Sequence, residues 1–215
     1  MVGRLCGLTD HSSWHASGVR RKSRRSAEMK SLQPAHSQSL GGAWILNIAL
    51  AGGGFRDSSL NSFAGVFIRK VELAAYEYAV AYEHWRSHGI TDPGTGRVHF
   101  TLPAAGDHLE LCVLTLRRAL RCLDKLRVAK SFPAMDRLTR TRIEHLAAEL
   151  AGVRNSIEHI DAEIAGGLDE GEPNTLLLSQ DGKFASIASQ KISTDSVHTC
   201  ISLLLQVAET LSTHR

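Results

Sequence analysis

The sequence of 215 residues lacks an apolar run long enough to cross a lipid bilayer, which takes roughly 20 residues. The apolar stretch at residues 43–51 is too short for this and lies too far from the N-terminus to be a good signal peptide. We therefore expect a protein that does not span a membrane.

Paired cysteine spacings are also missing. The chain has four cysteines and no CxxC pattern. Three of them fall inside helical patterns, where buried free thiols behave as small hydrophobic residues. These observations argue against a disulfide framework and favour a reduced, cytoplasmic protein. The cysteines are Cys6, Cys112, Cys122 and Cys200.

The predicted folded domain also lacks a strong net charge, although the formal net charge of the whole chain is +3. Residues 1–55 carry seven basic and two acidic side chains, a net charge of +5, which leaves −2 for the other 160 residues. The basic character belongs to the N-terminal region, which includes the cluster Arg20–Arg25. Residues 1–57 read as a disordered basic tail and residues 58–215 as the folded domain.

Apolar residues recur at alternating spacings of four and three in four segments of that domain. They predict one helix over 59–88, a loop over 91–106, a second helix from Asp107, a third over about 134–164, and a last helix from Ser193 or Thr194. Between the last two, Asp181-Gly182 separates two strand-like runs and predicts a β-hairpin with a two-residue turn. The expected fold is all-α, a four-helix antiparallel bundle with a small β-hairpin before the last helix.

The third helix carries a polar cluster beside its apolar stripe. Arg154-Asn-Ser-Ile-Glu-His159 resembles the R-x(4–6)-H motif of HEPN domains, including the Asn that often follows the Arg in that family. The formula also matches Arg4 to His11 and Arg140 to His145, but only Arg154 is followed by Asn late in a long helix. The resemblance covers roughly residues 58–213, and its specific signal lies in six of them.

The resemblance implies a small helical bundle, and many such domains are metal-independent RNases that serve as toxins in toxin–antitoxin or defence systems. It implies no cofactor, an antitoxin protein as a partner, and a homodimer whose interface contains Arg154, Asn155 and His159. RNA cleavage without metal needs a base for the 2′-hydroxyl proton, which suits His159, and a cation for the phosphate, which suits Arg154. Asn155 could orient the imidazole or contact phosphate.

Neighbouring residues have supporting roles in this interpretation. Glu158 could neutralise Arg154 locally, and Asp161 could hold a ring nitrogen of His159. The second helix adds a basic face that is either a solvated surface or a track for the RNA backbone. Its candidate RNA-binding residues are Arg117, Arg118 and Arg121, followed by Lys125 and Arg127.

Two other interpretations remain open from the sequence. Arg154 and Glu158 can pair along the helix surface, as can Asn155 and His159. The cluster would then be a solvated flank of a non-catalytic bundle that dimerises or binds a protein partner. A weaker alternative is a metal site on the first helix, where three potential ligands lie close in helical angle. They are Glu77, His84 and His88.

Overall fold

Five α-helices and one small antiparallel sheet make up the described part of the chain, residues 29–32 and 39–214, in the computed structural model. The predicted helical bundle with a hairpin before the last helix is confirmed. The elements in order are α1 (Leu40–Ala51), α2 (Ser58–Ser87), α3 (Leu102–Arg127), α4 (Arg137–Gly166), β1 (Leu177–Leu178), β2 (Phe184–Ile187), β3 (Gln190–Ser193) and α5 (Thr194–Ser212).

The core lies among α2, α3, α4 and α5, each of which packs on two of the others, and the apolar stripes read from the sequence point into it. On α2 every member of the stripe from Phe67 to Trp85 is buried, and on α5 so is every member from Val197 to Leu211. The stripe of α4 is buried only as far as Ile157, whereas Ile164 is 48% exposed. The last turns of α4 therefore leave the core.

Helix α1 is the main difference from the expectation, since the prediction of a disordered tail is wrong for residues 40–51. Two groups cap its first turn: the Ser39 hydroxyl accepts from the Gly42 N–H, and the Glu72 carboxylate of α2 accepts from the Leu40 N–H at 2.6 Å. Trp44 is 2% exposed and packs against Phe55, which fixes α1 on the bundle. The remainder of the predicted tail, including Arg20–Arg25, lies mostly outside the described residues.

Helix α3 begins five residues before the predicted start at Asp107. Pro103 occupies the first turn, where a missing backbone N–H breaks no helical hydrogen bond. The connection to α2 is correspondingly shorter than predicted, and a single antiparallel bridge between Thr91 and Val98 orders it.

The sheet has the order β1-β2-β3, so it contains one strand more than the predicted hairpin. Asp181 and Gly182 do lie in the turn between β1 and β2, but the loop spans residues 180–183 rather than two residues, because Ser179 pairs with Phe184. The Trp85 indole N–H donates to the Gln180 carbonyl at 3.2 Å. The hairpin tip is thereby held against the end of α2.

The three cysteines in the described residues are free thiols. Burial raises the pKa of the Cys112 and Cys200 thiols, the latter to about 12, which keeps both protonated and unreactive at neutral pH. Within residues 29–32 and 39–214, none of the helices has both the length and the apolar character needed to cross a membrane.

Candidate functional site

A groove between α3 and α4 brings together three of the arginines singled out in the sequence. Its volume is about 180 Å³, and its floor is apolar. The guanidinium-bearing residues that line it are Arg117, Arg121 and Arg154, together with Asp124 at one end. Val113, Leu120, Ala147, Leu150 and Ala151 form the rest of the lining.

Glu158 links the two helices at this groove. Arg117 of α3 donates from Nη1 to Glu158 Oε1, and Arg154 Nη1 lies 3.8 Å from Glu158 Oε2. Arg154 also donates from Nη2 to the Asn155 side-chain carbonyl. The Arg117 and Arg154 side chains are only 24% and 19% exposed, so these pairs are screened less than ion pairs in bulk water. One carboxylate thus occupies the position at which an anion would meet both guanidinium groups.

Arg117 and Arg154 each have one hydrogen-bond donor that these ion pairs do not satisfy. The Nε atoms of Arg117 and Arg154 are buried, and neither finds a hydrogen-bond partner within the described chain. A buried donor without a partner costs about 1–3 kcal/mol, so such groups favour a water or a ligand oxygen as partner. Arg117 and Arg154 therefore each keep one buried donor that no described group satisfies.

His159 lies where α4 bends. Its backbone angles, φ −123° and ψ 16°, fall outside the helical region and separate α4 into two segments. Sparsely populated backbone conformations of this kind are found disproportionately often at functional sites. Across the bend the Ser156 hydroxyl donates to Glu163 Oε1 at 2.9 Å.

The imidazole of His159 is exposed, and no described residue forms a hydrogen bond with it. Asn155 bonds to Arg154 instead of His159, and the exposed Asp161 likewise has no bond to the ring. In a straight helix, five residues separate Arg154 from His159 by about 7.5 Å of rise and roughly 140° of rotation. The structure thus places Arg154 in the groove and leaves His159 outside the polar network around it.

Gly152, about two turns before the bend at His159, faces the sheet. A Cβ atom at this position would lie 2.4 Å from the Gln190 side-chain oxygen of β3. A side chain here would have to displace the flexible end of Gln190, so Gly152 leaves room for Gln190 against α4. The sheet in turn supports the segment of α4 that carries the motif.

The basic face predicted on α3 divides into groups with different environments. Arg118 is exposed and lies outside the groove, whereas Arg117 and Arg121 line it. Arg127 pairs at 2.5 Å with Glu144 of α4. Hydrogen bonds from the Arg127 and Arg140 side chains lower the pKa of the Glu144 carboxyl. Two of the five basic residues, Arg117 and Arg127, thus form ion pairs that join α3 to α4.

The proposed metal ligands of α2 do not converge. Glu77 Oε2 lies 2.6 Å from His108 Nδ1, and the His84 ring stacks on His108 at 5.4 Å between centroids. His88 Nδ1 accepts from the Thr101 N–H, which turns it away from the pair. The part of the chain that the structure describes holds no group of three His, Cys, Asp or Glu side chains suited to a metal ion.

His108 was not among the sequence candidates. It lies 31 positions from Glu77 and on another helix, so no local spacing connects the two. The same is true of Arg117 and Glu158, which are 41 positions apart. Both pairs depend on how α3 packs between its neighbours.

No protein-family model, curated protein or solved structure matches this chain. The HEPN interpretation therefore rests on the residues and geometry of this chain alone.

Proposed function

We propose that this protein is a metal-independent endoribonuclease of the HEPN type that acts on RNA bound at the groove between α3 and α4. The observation that carries the proposal is the convergence of Arg117, Arg121 and Arg154 on one groove, next to the bend at His159. Guanidinium groups match phosphate oxygens in geometry and remain charged at all physiological pH values.

In this proposal a phosphate of the RNA backbone takes the place that Glu158 holds in the unbound protein. Arg154 and Arg117 then stabilise the charge that develops on the phosphate, and their buried Nε donors gain oxygen partners. His159 removes the proton from the 2′-hydroxyl. The 2′-oxygen attacks phosphorus, the bond to the 5′-oxygen breaks, and that oxygen takes a proton from water, which leaves a 2′,3′-cyclic phosphate and a 5′-hydroxyl.

The resemblance adds expectations about partners. His159 is exposed and outside the Arg154 network, so a second copy facing α4 would have to complete the site, as in the homodimer that the resemblance implies. A toxin function would further require an antitoxin protein that suppresses cleavage. Expression of the active chain alone would then slow growth of the host cell, and the His159→Ala variant would not.

The test is RNA cleavage by the purified full chain in the presence of EDTA. Replacing the catalytic base should lower the rate by about 10²–10⁴-fold for His159→Ala. His145→Ala provides a matched control, because Arg140 to His145 has the same spacing on the same helix. His145 is exposed, lies away from the groove arginines, and pairs with Glu149. An RNA with 2′-O-methyl groups should resist cleavage.

Two results would remove the proposal. Cleavage that persists in His159→Ala at the wild-type rate excludes His159 as the base. Wild-type protein that binds RNA but does not cut it excludes the enzymatic function as a whole.

A second candidate is a non-catalytic helical-bundle module that binds a partner. The observation in its favour is that Glu158 and Asn155 already engage the Arg154 side chain in the unbound chain. This candidate predicts no turnover and no functional effect of substituting Arg154 or His159. RNA cleavage by the wild type and by His159→Ala therefore decides between the two functions.

A further inference from the structure

Helix α2 carries a second stripe that the bundle does not use. Positions 62, 66, 69, 73, 76, 80, 83 and 87 alternate in spacings of four and three, the period of a coiled-coil interface. Four of them are apolar: Val66, Leu73, Tyr76 and Val80. At 100° per residue this stripe lies roughly 145° from the buried one, on the other side of the helix. Tyr76 is 62% exposed, and Val66 and Leu73 are 37% and 39% exposed.

Helix α1 extends this apolar surface. Its exposed side chains include Ile45 at 63% and Leu46 at 58%, and it contains no charged residue. A shallow groove runs between it and the outer stripe of α2, lined by Trp44, Ile48, Gly65 and Val66 among others. A contiguous apolar surface formed by two helices is typical of an interaction site.

The two charges within the outer stripe suggest what covers it. Arg69 and Glu83 each lie seven positions from Tyr76, on opposite sides. If two α2 helices pair antiparallel about a two-fold axis at Tyr76, Arg69 of each copy faces Glu83 of the other. Among the described residues of one chain, Glu83 pairs weakly with the exposed Arg86 at 3.8 Å. The stripe is thus complementary to itself in charge as well as apolar, as an isologous interface requires.

We propose that a second copy of this chain docks on the outer face of α2, antiparallel and centred on Tyr76. Leu73 of each copy then packs against Val80 of the other, and the two Arg69–Glu83 pairs set the register. The C-terminal end of the second α2, followed by Ile90, which is 51% exposed, comes to lie over the groove between α1 and α2.

This interface is separate from the arginine groove. Helix α2 packs on α1, α3 and α5, whereas α4 packs on α3, α5 and the sheet. Pairing through α2 leaves α4 and both α3–α4 grooves uncovered, so the contact between two copies at α4 that the proposed ribonuclease site requires would be a second, independent interface. The inference does not depend on the proposed ribonuclease function, and its test has a different readout.

The test is the mass of the full chain in solution, measured by analytical ultracentrifugation over a range of concentrations. Wild type should sediment as a dimer, or as a larger assembly if the α4 contact of the proposed ribonuclease site forms as well. Arg69→Glu and Glu83→Arg should each weaken dimerisation by about tenfold or more, since like charges then face each other. The double variant should restore dimerisation to within a few-fold of wild type. Arg142→Glu, an exposed change on α4, is the control for net charge.

A cross-link checks the two-fold axis directly. Tyr76→Cys, in a chain with Cys6→Ser, should form a covalent dimer on mild oxidation, and Leu111→Cys on the exposed face of α3 should not. Circular dichroism confirms that each variant is folded. A wild-type chain that is monomeric at all concentrations overturns the inference, as does a dimer that neither charge reversal weakens.

Discussion

Arg117 of α3, which lines the candidate site, forms an ion pair with Glu158 of α4. The pair has two consequences. It joins helices that otherwise meet mainly through apolar side chains, and it places a carboxylate where the phosphate of a ligand would lie. Any anion that enters the groove has to compete with Glu158 for the same guanidinium groups.

Replacing Glu158 by Gln should strengthen RNA binding. Glutamine keeps the size of the side chain but removes the charge that neutralises Arg117 and Arg154. We expect affinity to rise by about three- to tenfold at low salt, which corresponds to roughly 1 kcal/mol. Fluorescence anisotropy with a labelled RNA measures the effect.

Glu149→Gln is the matched control, because it removes the same charge from the same helix without touching a groove arginine. Equal gains in both variants would mean that net charge, rather than release of the groove, controls binding. A loss of affinity in Glu158→Gln would contradict a competing role for this carboxylate.

Adjacent arginines on α3 should differ in their contribution to RNA binding. Arg121 lines the groove, whereas Arg118 is exposed outside it. Arg121→Ala should weaken binding by about three- to tenfold and reduce the salt dependence by about one phosphate contact. Arg118→Ala should have a clearly smaller effect. Titrations at two salt concentrations distinguish the two, and equal losses would argue against a defined binding groove.

Gly106 should be intolerant of any side chain. A Cβ atom there would lie 2.1 Å from the Leu176 carbonyl oxygen. This is a backbone atom directly before β1, so it can move only if the chain that leads into β1 moves with it. Gly106→Ala should destabilise the fold by about 2–3 kcal/mol. Gly166→Ala, at the end of α4, meets no atom within 4 Å and should be neutral or slightly stabilising. Urea denaturation of the two variants compares them directly.

Glu110 should make stability depend on pH. Burial raises the pKa of this carboxyl, and the nearby Asp107 charge raises it further. Because the pKa of Glu110 is higher in the folded than in the unfolded chain, the protonated form contributes its full stabilisation at pH values below the pKa in the unfolded chain. That contribution is lost as the pH rises through the pKa of Glu110 in the folded chain.

Glu110→Gln should therefore raise the melting temperature at pH 7 by about 1 °C, since partial exposure keeps the effect small. Near pH 4 and below, the difference from wild type should disappear. Thermal unfolding followed by circular dichroism over this pH range tests the sign. A variant that is less stable than wild type at pH 7 would show that the carboxylate makes a net favourable contact.

The helices whose apolar residues follow one stripe could be predicted from sequence, and α2, α4 and α5 lie close to where their periodicity placed them. Helix α1 could not, because residues 40–51 are apolar on all sides and leave no polar face to set a period. The start of α3 was missed because Asp107-His-Leu-Glu110 resembles a capping box, whereas the helix already begins at Leu102.

Only part of the candidate site could be predicted from the sequence. The formula identified Arg154 and His159, since it is a local pattern on one helix. The partners across the groove depend on which turn of α3 faces which turn of α4, and no local pattern encodes this. The bend at His159 was equally hidden, because the residues around it have ordinary helix propensities.

The bend also divides α4 into parts of unequal stability. Residues before it are anchored in the core by five buried side chains, Ile143, Leu146, Leu150, Val153 and Ile157. The short segment after it is attached less firmly, by the partly buried Ile160 and by the hydrogen bond from Ser156 to Glu163. Local opening of residues 160–166 should need much less free energy than global unfolding, so their amide hydrogens should exchange far sooner than those of 143–157. His159 then sits at the boundary between a slow-exchanging and a fast-exchanging segment, where a ligand could reorient its ring without disturbing the core.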